Sequence, residues 1–427
     1  MPNNKIQVIL NEEIEKIKPS EKESSIIKAK IHEIREKLGK KLHGKATIIL
    51  GGSFAKNTVI KKERYDVDLF VRFFKSPNKK SSDFLEKSLK SLKLGKIETL
   101  HGSRDYFKLK IGQNIFAEIV PIADVRKVGV EKAENVTDVS PLHVDYIQNK
   151  LKKDLKLADE IRLAKAFCYA IGCYGAESHI RGFSGYCLEI LVTYYKGFLN
   201  LLKESMKWPV DKKVIIDPEK YYKTNEVMNE LNESKLISPL IIVDPVQKNR
   251  NVSAALSEEK LLLFKESGKK FLARPSLQFF ETESTDDFED EIKKKAKKSG
   301  KELLIIKAES KKKKEDIAGA KLLKFYKIIS LNLEKEGYSV ESKIKFKDNR
   351  ANFYFLLGKK DVLMPGPFLE MEEHVKNFKK RWKHVKIRGK RIYAVKKASE
   401  ISWKKALKFD KKFLEDIAVK NFVISVK

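Results

Sequence analysis

Between Ser20 and Leu38 the apolar residues Ile27, Ile31, Ile34 and Leu38 recur at steps of three and four. That spacing predicts a helix with one buried face, and Ser20 is placed to cap its start. The pattern then shifts to strands. Ala46–Leu50 is a short, β-branched apolar run broken by Gly51-Gly52, after which Ser53 opens a brief helix through Lys56. Tyr65–Phe73 predicts a second strand and Ser82–Leu92 a helix. Ile97–Leu100, Tyr106–Ile111 and Ile115–Ile122 predict three more strands, the last two joined by a turn at Gly112-Gln113-Asn114. These elements make a mixed α/β domain that ends near residue 135.

The middle of the chain is mainly helical. Helices are predicted over Asp159–Ile171, closed by Gly172, from Ser184 to about Met206, and from Ser257 to about Phe271. The last part alternates again. Leu277–Phe280, Glu302–Lys307, Ser339–Phe346 and Asn352–Leu357 predict strands, while Asp286–Lys298 and Asp316–Glu334 predict helices. Pro365-Gly366-Pro367 marks a loop, and Lys311–Lys314 a solvated loop or helix start. The expected division is 1–138, 139–257 and 258–427.

Composition narrows the class. A length of 427 residues fits two to four domains, and 42% hydrophobic residues suffice for buried cores, which excludes a wholly disordered chain. No apolar run is long enough to span a membrane. The richest, Leu188–Leu202, is interrupted by Glu189, Lys196 and Asn200, and the first residues hold no apolar signal core. The three cysteines, Cys168, Cys173 and Cys187, are odd in number and match no zinc spacing, which points to small buried hydrophobes in a reducing cytoplasm. The net charge of +31 suits phosphate polyanions, although a lysine-rich genome composition also produces such a surplus.

The chemistry concentrates in two places of the first domain. Gly51-Gly52-Ser53 follows a strand, so the backbone can approach a phosphate closely and the serine can donate to it; alone, the same residues make a plain capped turn. Asp66 and Asp68 lie two apart on a strand, so both carboxylates leave the same face. Two acids that close repel unless a cation lies between them, and Mg²⁺ takes one or two carboxylates together with substrate phosphates. Glu118 is a third acid, inside the otherwise apolar Phe116-Ala-Glu-Ile-Val-Pro121.

With Gly52-Ser53, the Asp-x-Asp pair and a later strand carboxylate, the chain resembles the nucleotidyltransferase superfamily of DNA polymerase β. Further blocks narrow the resemblance. They are Ser140-Pro-Leu-His143, Glu160 to Lys165, Tyr174-Gly-Ala-Glu177, Arg181-Gly-Phe-Ser-Gly-Tyr186, Val243-Asp-Pro-Val246 and Arg250-Asn-Val252. These, with Pro365–Pro367 and Trp382 through Tyr393, are similar to the archaeal, class I CCA-adding enzymes. The resemblance implies an α+β multidomain fold with a polymerase β-like mixed-sheet head, a helical central domain and α/β C-terminal RNA-binding domains. It implies a tRNA nucleotidyltransferase that adds C, C and A from CTP and ATP, with Mg²⁺ held by Asp66, Asp68 and Glu118. Gly52, Ser53, Lys56, Ser140, His143, Lys165, Tyr174 and Arg250 match nucleotide-binding positions, Arg250 near the base edge. The family usually has Asp where Glu118 stands and Arg where Lys56 stands. The expected partner is the tRNA acceptor stem and 3′ end, with no membrane, and a homodimer is left open.

From the residues alone, Lys165 reads as an ordinary surface lysine, His143 equally as a loop histidine, and Tyr174 also as core packing. A poly(A) polymerase, an oligoadenylate synthetase and a non-catalytic RNA-binding protein on the same scaffold stay as alternatives.

Overall fold

The computed structural model describes residues 2–74, 79–100, 105–125, 133, 135–209, 211–223, 226–282, 284–359, 361–396 and 402–427. The chain divides into two compact units, Met1–Thr282 and Glu283–Lys427.

The first unit opens with α1 (Pro2–Ile17), which the sequence reading did not include, and α2 (Glu21–Lys41). Ser20 caps α2 with a reciprocal Glu23 bond, and Ile27, Ile31, Ile34 and Leu38 are its buried residues, as the spacing predicts. Then come β1 (Ala46–Leu50), the one-turn α3 (Gly52–Ala55), β2 (Tyr65–Phe73), α4 (Lys79–Ser91), β3 (Ile97–Leu100), β4 (Tyr106–Lys110) and β5 (Ile115–Ile122). The five strands form one sheet in the order β1-β2-β5-β4-β3. β2 and β5 run parallel and the other pairs antiparallel. The pleat sends Val67, Leu69, Phe107, Leu109, Ala117 and Ile119 into a core shared with α2 and α4, so the opposite face is left for polar residues.

The helical part of the same unit holds α5 (Val136–Lys153), α6 (Leu157–Ala170), α7 (Gly185–Tyr195), α8 (Phe198–Lys207), α9 (Val227–Glu230) and α10 (Glu258–Ala273). A two-stranded parallel sheet joins them, β6 (Val214–Ile216) with β7 (Leu240–Ile242). Their core centres on Phe167, whose ring lies 5.5–6.3 Å from those of Phe198, Phe264, Phe271, Phe279 and Phe280. Ile6 and Leu10 of α1 also belong to this core rather than to the sheet's. The three cysteines are free and buried.

Two expectations for this unit are corrected. The helix from Ser184 to Met206 is two helices. Lys196 is left-handed at φ 56°, Gly197 takes φ 136°, and Phe198 N–H donates to Glu160 Oε2 at 2.7 Å to start the second. The Lys-Gly pair carried that signal. Leu277–Phe280 is a single 3₁₀ turn, not a strand. Among the described residues no strand pairs with it, and Phe279 and Phe280 pack into the aromatic core instead.

Glu13 on α1 is buried, and burial is the main reason its carboxyl is pushed up to about 7, with Lys16 opposing and Glu281 and Glu12 adding. A carboxyl raised in the folded state costs stability as pH rises from the unfolded value through about 7. Glu13→Gln is therefore expected to raise Tm by about 2–6 °C at pH 8 and to leave it nearly unchanged at pH 4. Thermal melts at the two pH values check this.

The second unit is built on an antiparallel sheet in the order β14-β8-β10-β9, formed by β8 (Glu302–Ser310), β9 (Tyr338–Lys347), β10 (Arg350–Lys359) and β14 (Val419–Val426). Leu304, Ile306 and Ala308 face α12 (Glu315–Glu336), while Leu303 and Ile305 face α11 (Thr285–Ser299), so each pleat face has its own core. A second sheet has the order β11-β13-β12, from β11 (Val362–Phe368), β12 (Val385–Arg388) and β13 (Arg391–Lys396). The Pro365–Pro367 loop is corrected here. It lies within β11, an edge strand with a register shift between Pro365 and Phe368, where missing donors are tolerated. Among the described residues no helix is long and apolar enough to cross a membrane.

Candidate active site

Sheet register builds the first part of the site. On the parallel pair β2–β5, Asp68 stands opposite Glu118 and Asp66 opposite Phe116. On β4, Lys108 stands opposite Glu118 from the other side. All four polar residues alternate with core residues, so all share the face opposite the core formed with α2 and α4. Gly51 N–H donates to Asp68 O at 2.8 Å, which brings the glycine pair over the sheet edge. Gly52 has φ +58°, and a Cβ there would lie 1.8 Å from Asp68 Oδ2. Glycine is required at that point by both backbone and space.

Burial, with Glu118 next in weight, Lys56 opposing and Asp66 adding, pushes the Asp68 carboxyl up to about 7. A hard, oxygen-seeking divalent cation suits this all-carboxylate donor set. The acids already share a tethered cation. Lys108 Nζ is 3.3 Å from Asp66 Oδ1 and 3.1 Å from Glu118 Oε1. Arg64 donates to Asp66 Oδ1 at 3.0 Å and stacks over Phe116 at 4.3 Å. As arranged, no three His, Cys, Asp or Glu side chains among the described residues converge closely enough to hold an ion.

The helical layer supplies the second part. Gln148 of α5 donates to Ala55 O at 2.7 Å, and Arg162 of α6 donates to Asn57 O at 2.6 Å and Val59 O at 3.0 Å. These bonds hold the segment after α3 against the helices. Lys165, one turn after Arg162, is buried, so the surface-lysine reading is corrected. Its ammonium lies 2.8 Å from Glu189 Oε1, and Lys56 Nζ lies 2.5 Å from Glu189 Oε2. Burial pushes Lys165 down to about 8, with Glu189 opposing. Burial alone would raise Glu189, but the two ammonium groups outweigh it and hold the carboxyl at about 2. One cleft brings together Ser53, Asp66, Lys165 and Tyr174, with Lys62 and Tyr169 beside them. Tyr174 stacks on Tyr169 with ring centroids 3.9 Å apart.

The third part gathers on Asp244, which is fully buried. Arg250 Nη1 donates to its Oδ2 at 2.6 Å, Val246 N–H to its Oδ1 at 2.9 Å and Tyr186 Oη to Oδ1 at 3.3 Å. His143 Nε2 is 3.0 Å from Oδ2, and its ring stacks on Tyr186 at 4.2 Å. Burial pushes Asp244 up, but His143 and Arg250 outweigh it and hold the carboxyl at about 2. His143 and Ser140 lie on α5, so the loop-histidine reading is corrected; Asn135 caps that helix and Pro141 sits in its second turn.

The sequence reading missed Lys108, Glu189 and Asp244. Glu189 had a visible signal as a lone acid in an apolar helical run, and Asp244 as the acid before Pro245. Lys108 looks like any outward strand lysine until β4 pairs with β5.

Comparison with known proteins agrees with this layout. Residues 159–281 match the family described as tRNA nucleotidyltransferase, second domain, and residues 5–140 match the Second Messenger Oligonucleotide or Dinucleotide Synthetase domain. The chain is 37% identical over 307 residues to a CCA-adding enzyme of Nanoarchaeum equitans, covering 71% of each chain. It is 32% identical to a CCA-adding enzyme of Methanocaldococcus jannaschii, over 91% of this chain and 87% of that one. Among solved structures, a cytoplasmic RNA terminal U-transferase superposes with a TM-score of 0.51 at 16% identity, covering 66% of this chain and 99% of that one. The last likeness is one of fold.

Proposed function

The chain belongs to the archaeal CCA-adding enzymes, and from that membership we propose that it transfers CMP, CMP and then AMP from CTP and ATP to the 3′ end of tRNA. Pyrophosphate leaves at each step, and no nucleic-acid template is used. The observation that supports the reading is that Asp66, Asp68 and Glu118 share one sheet face beside a cleft lined by Ser53, Lys62, Asp66 and Lys165.

In this proposal Asp66, Asp68 and Glu118 would hold Mg²⁺, which when bound would supply charge to activate the 3′-hydroxyl and to neutralise the leaving pyrophosphate. The chain's own residues do the positioning. Gly52 lets the backbone lie against Asp68, where any side chain would collide. Ser53, Lys56, Lys165 and Tyr174 bind the triphosphate and orient it toward the RNA end. Ser140 and His143 reach the ribose and phosphates. Arg250, fixed by Asp244, offers a planar pair of donors to the base edge. Glu118 replaces the usual Asp with a longer arm, and its register opposite Asp68 keeps it on the shared face.

We assign transfer to residues 1–138, nucleotide selection to 139–257 and tRNA binding to 258–427. The surplus of +31 charges favours contact with the acceptor stem through phosphate and shape, so affinity falls steeply with salt. The proposed location is the cytoplasm, and light scattering separates a monomer from a homodimer.

The test is incorporation into tRNA lacking its last three nucleotides, with Mg²⁺ and with CTP and ATP singly and together. The expected result is two additions from CTP alone and one further addition, then arrest, when ATP is present. Long tails from ATP alone would make the enzyme a poly(A) polymerase.

A further inference from the structure

The buried cluster around Glu189 joins two cations to one acid. Its carboxylate accepts from Lys56 at 2.5 Å, Lys165 at 2.8 Å and Thr58 Oγ1 at 3.0 Å. Lys165 also donates to Thr58 Oγ1 at 3.0 Å and Thr58 O at 3.2 Å. Glu189, Lys165, Lys56 and Thr58 are all at most 8% exposed. Two ammonium groups thus hydrogen-bond to one carboxylate, and the next acid in the field of Lys56 is Asp68. Buried charges are costly unless paired and hydrogen-bonded. Lys165 lines the cleft with Ser53 and Asp66, so an anion bound there meets its ammonium. The cluster also spans two layers. Lys56 and Thr58 follow α3, whereas Lys165 and Glu189 come from α6 and α7.

We propose that Glu189 is a positioning residue for nucleotide binding, holding Lys165 at the wall of the cleft and Lys56 on the same carboxylate so that a nucleoside triphosphate finds both cations in place. The inference rests on the nucleotidyl-transfer reading of the same cleft. Glu189 touches no substrate in it and acts through the two lysines. The groups that face Lys165 are Glu189, Lys56 and Lys62, with Thr58 as its uncharged partner. Tyr174 lies in the field of Glu189, and the Tyr186 ring lies 5.9 Å from Lys56 Nζ. Without the Glu189 charge, burial and the repulsion of Lys56 both favour loss of a proton from Lys165, and the cleft loses part of its attraction for phosphate.

The experiment compares the full-length chain with Glu189→Gln, which keeps the shape and removes the charge. KM and kcat for CTP and ATP are measured on truncated tRNA from pH 6 to pH 9, with direct binding of each nucleotide alongside. The expected result is a KM at least about tenfold higher at pH 8 for both nucleotides, recovering toward the wild-type value at pH 6, with kcat at saturation within about threefold. If Glu189→Gln does not fold, the same comparison runs between Lys56→Met and the Lys56→Met/Glu189→Gln double variant, where a single ammonium is left. Addition of the Gln change should again raise KM and move the inflection to lower pH. A wild-type KM and pH profile with only a lower Tm overturns the proposal in favour of a structural pin. Tighter nucleotide binding overturns it in favour of a carboxylate that competes with phosphate. If the unmodified chain neither binds nor incorporates CTP and ATP, the nucleotidyl-transfer reading itself is what fails.

Discussion

Asp68→Asn is expected to lower nucleotide incorporation by roughly 10³-fold or more while leaving tRNA affinity within about twofold and the fold intact. The substitution keeps the volume of the side chain, and Gly52 still packs against it. What is lost is charge on the face shared with Asp66 and Glu118, where a divalent ion would be held. The stability effect has the opposite sign to the activity effect. The Asp68 carboxyl is pushed up to about 7 by burial and then by Glu118, so replacing it with a neutral amide relieves a cost that grows above the unfolded value of a carboxyl. Single-turnover incorporation, filter binding of tRNA and thermal melting at pH 8 together check the prediction. Equal loss of tRNA binding and turnover would mean that the acid is structural.

Asp244→Asn is expected to cost about 2–4 kcal/mol of stability and to reduce kcat/KM for CTP and ATP by about 10–100-fold. The amide oxygen can still accept from Val246 N–H and Tyr186 Oη. It cannot balance the Arg250 guanidinium at 2.6 Å, which is why truncating the charge costs more than losing one neutral hydrogen bond. Arg250 keeps part of its side chain in solvent, so it can turn outward, and the base edge then loses a fixed donor pair. Urea unfolding gives the stability change. The ratio of kcat/KM for CTP and ATP tests the role, because a merely structural residue would lower both stability and rate without changing nucleotide choice.

The legibility of this protein differs between its sheet and its helices. The strands of the head were readable because each alternates or runs apolar between strong breakers, and Ser20 gave the start of α2 unaided. α1 was not recognised, although Ile6 and Leu10 follow helical spacing. The break at Lys196-Gly197 and the turn at Leu277–Phe280 were misread for a common reason. Hydrophobicity says that a segment is buried, not what it is buried against, and the aromatic core around Phe167 chose the geometry of both ends.

What the sequence determined by itself is the set of local devices. These are the spacing that puts Asp66 and Asp68 on one face, the glycine pair before Ser53, the capped helices and the excess of basic residues, each of which depends on neighbours within a few positions. Only the tertiary structure decided which of these meet. Glu118 joins the aspartates because β5 runs parallel to β2 in one register, and a shift of one residue would turn it to the core. Lys56 meets Glu189 across 133 positions of the chain, and His143 meets Asp244 across 101. Charges that far apart in the chain interact only after burial removes the water between them, and no local pattern records which partner burial will supply.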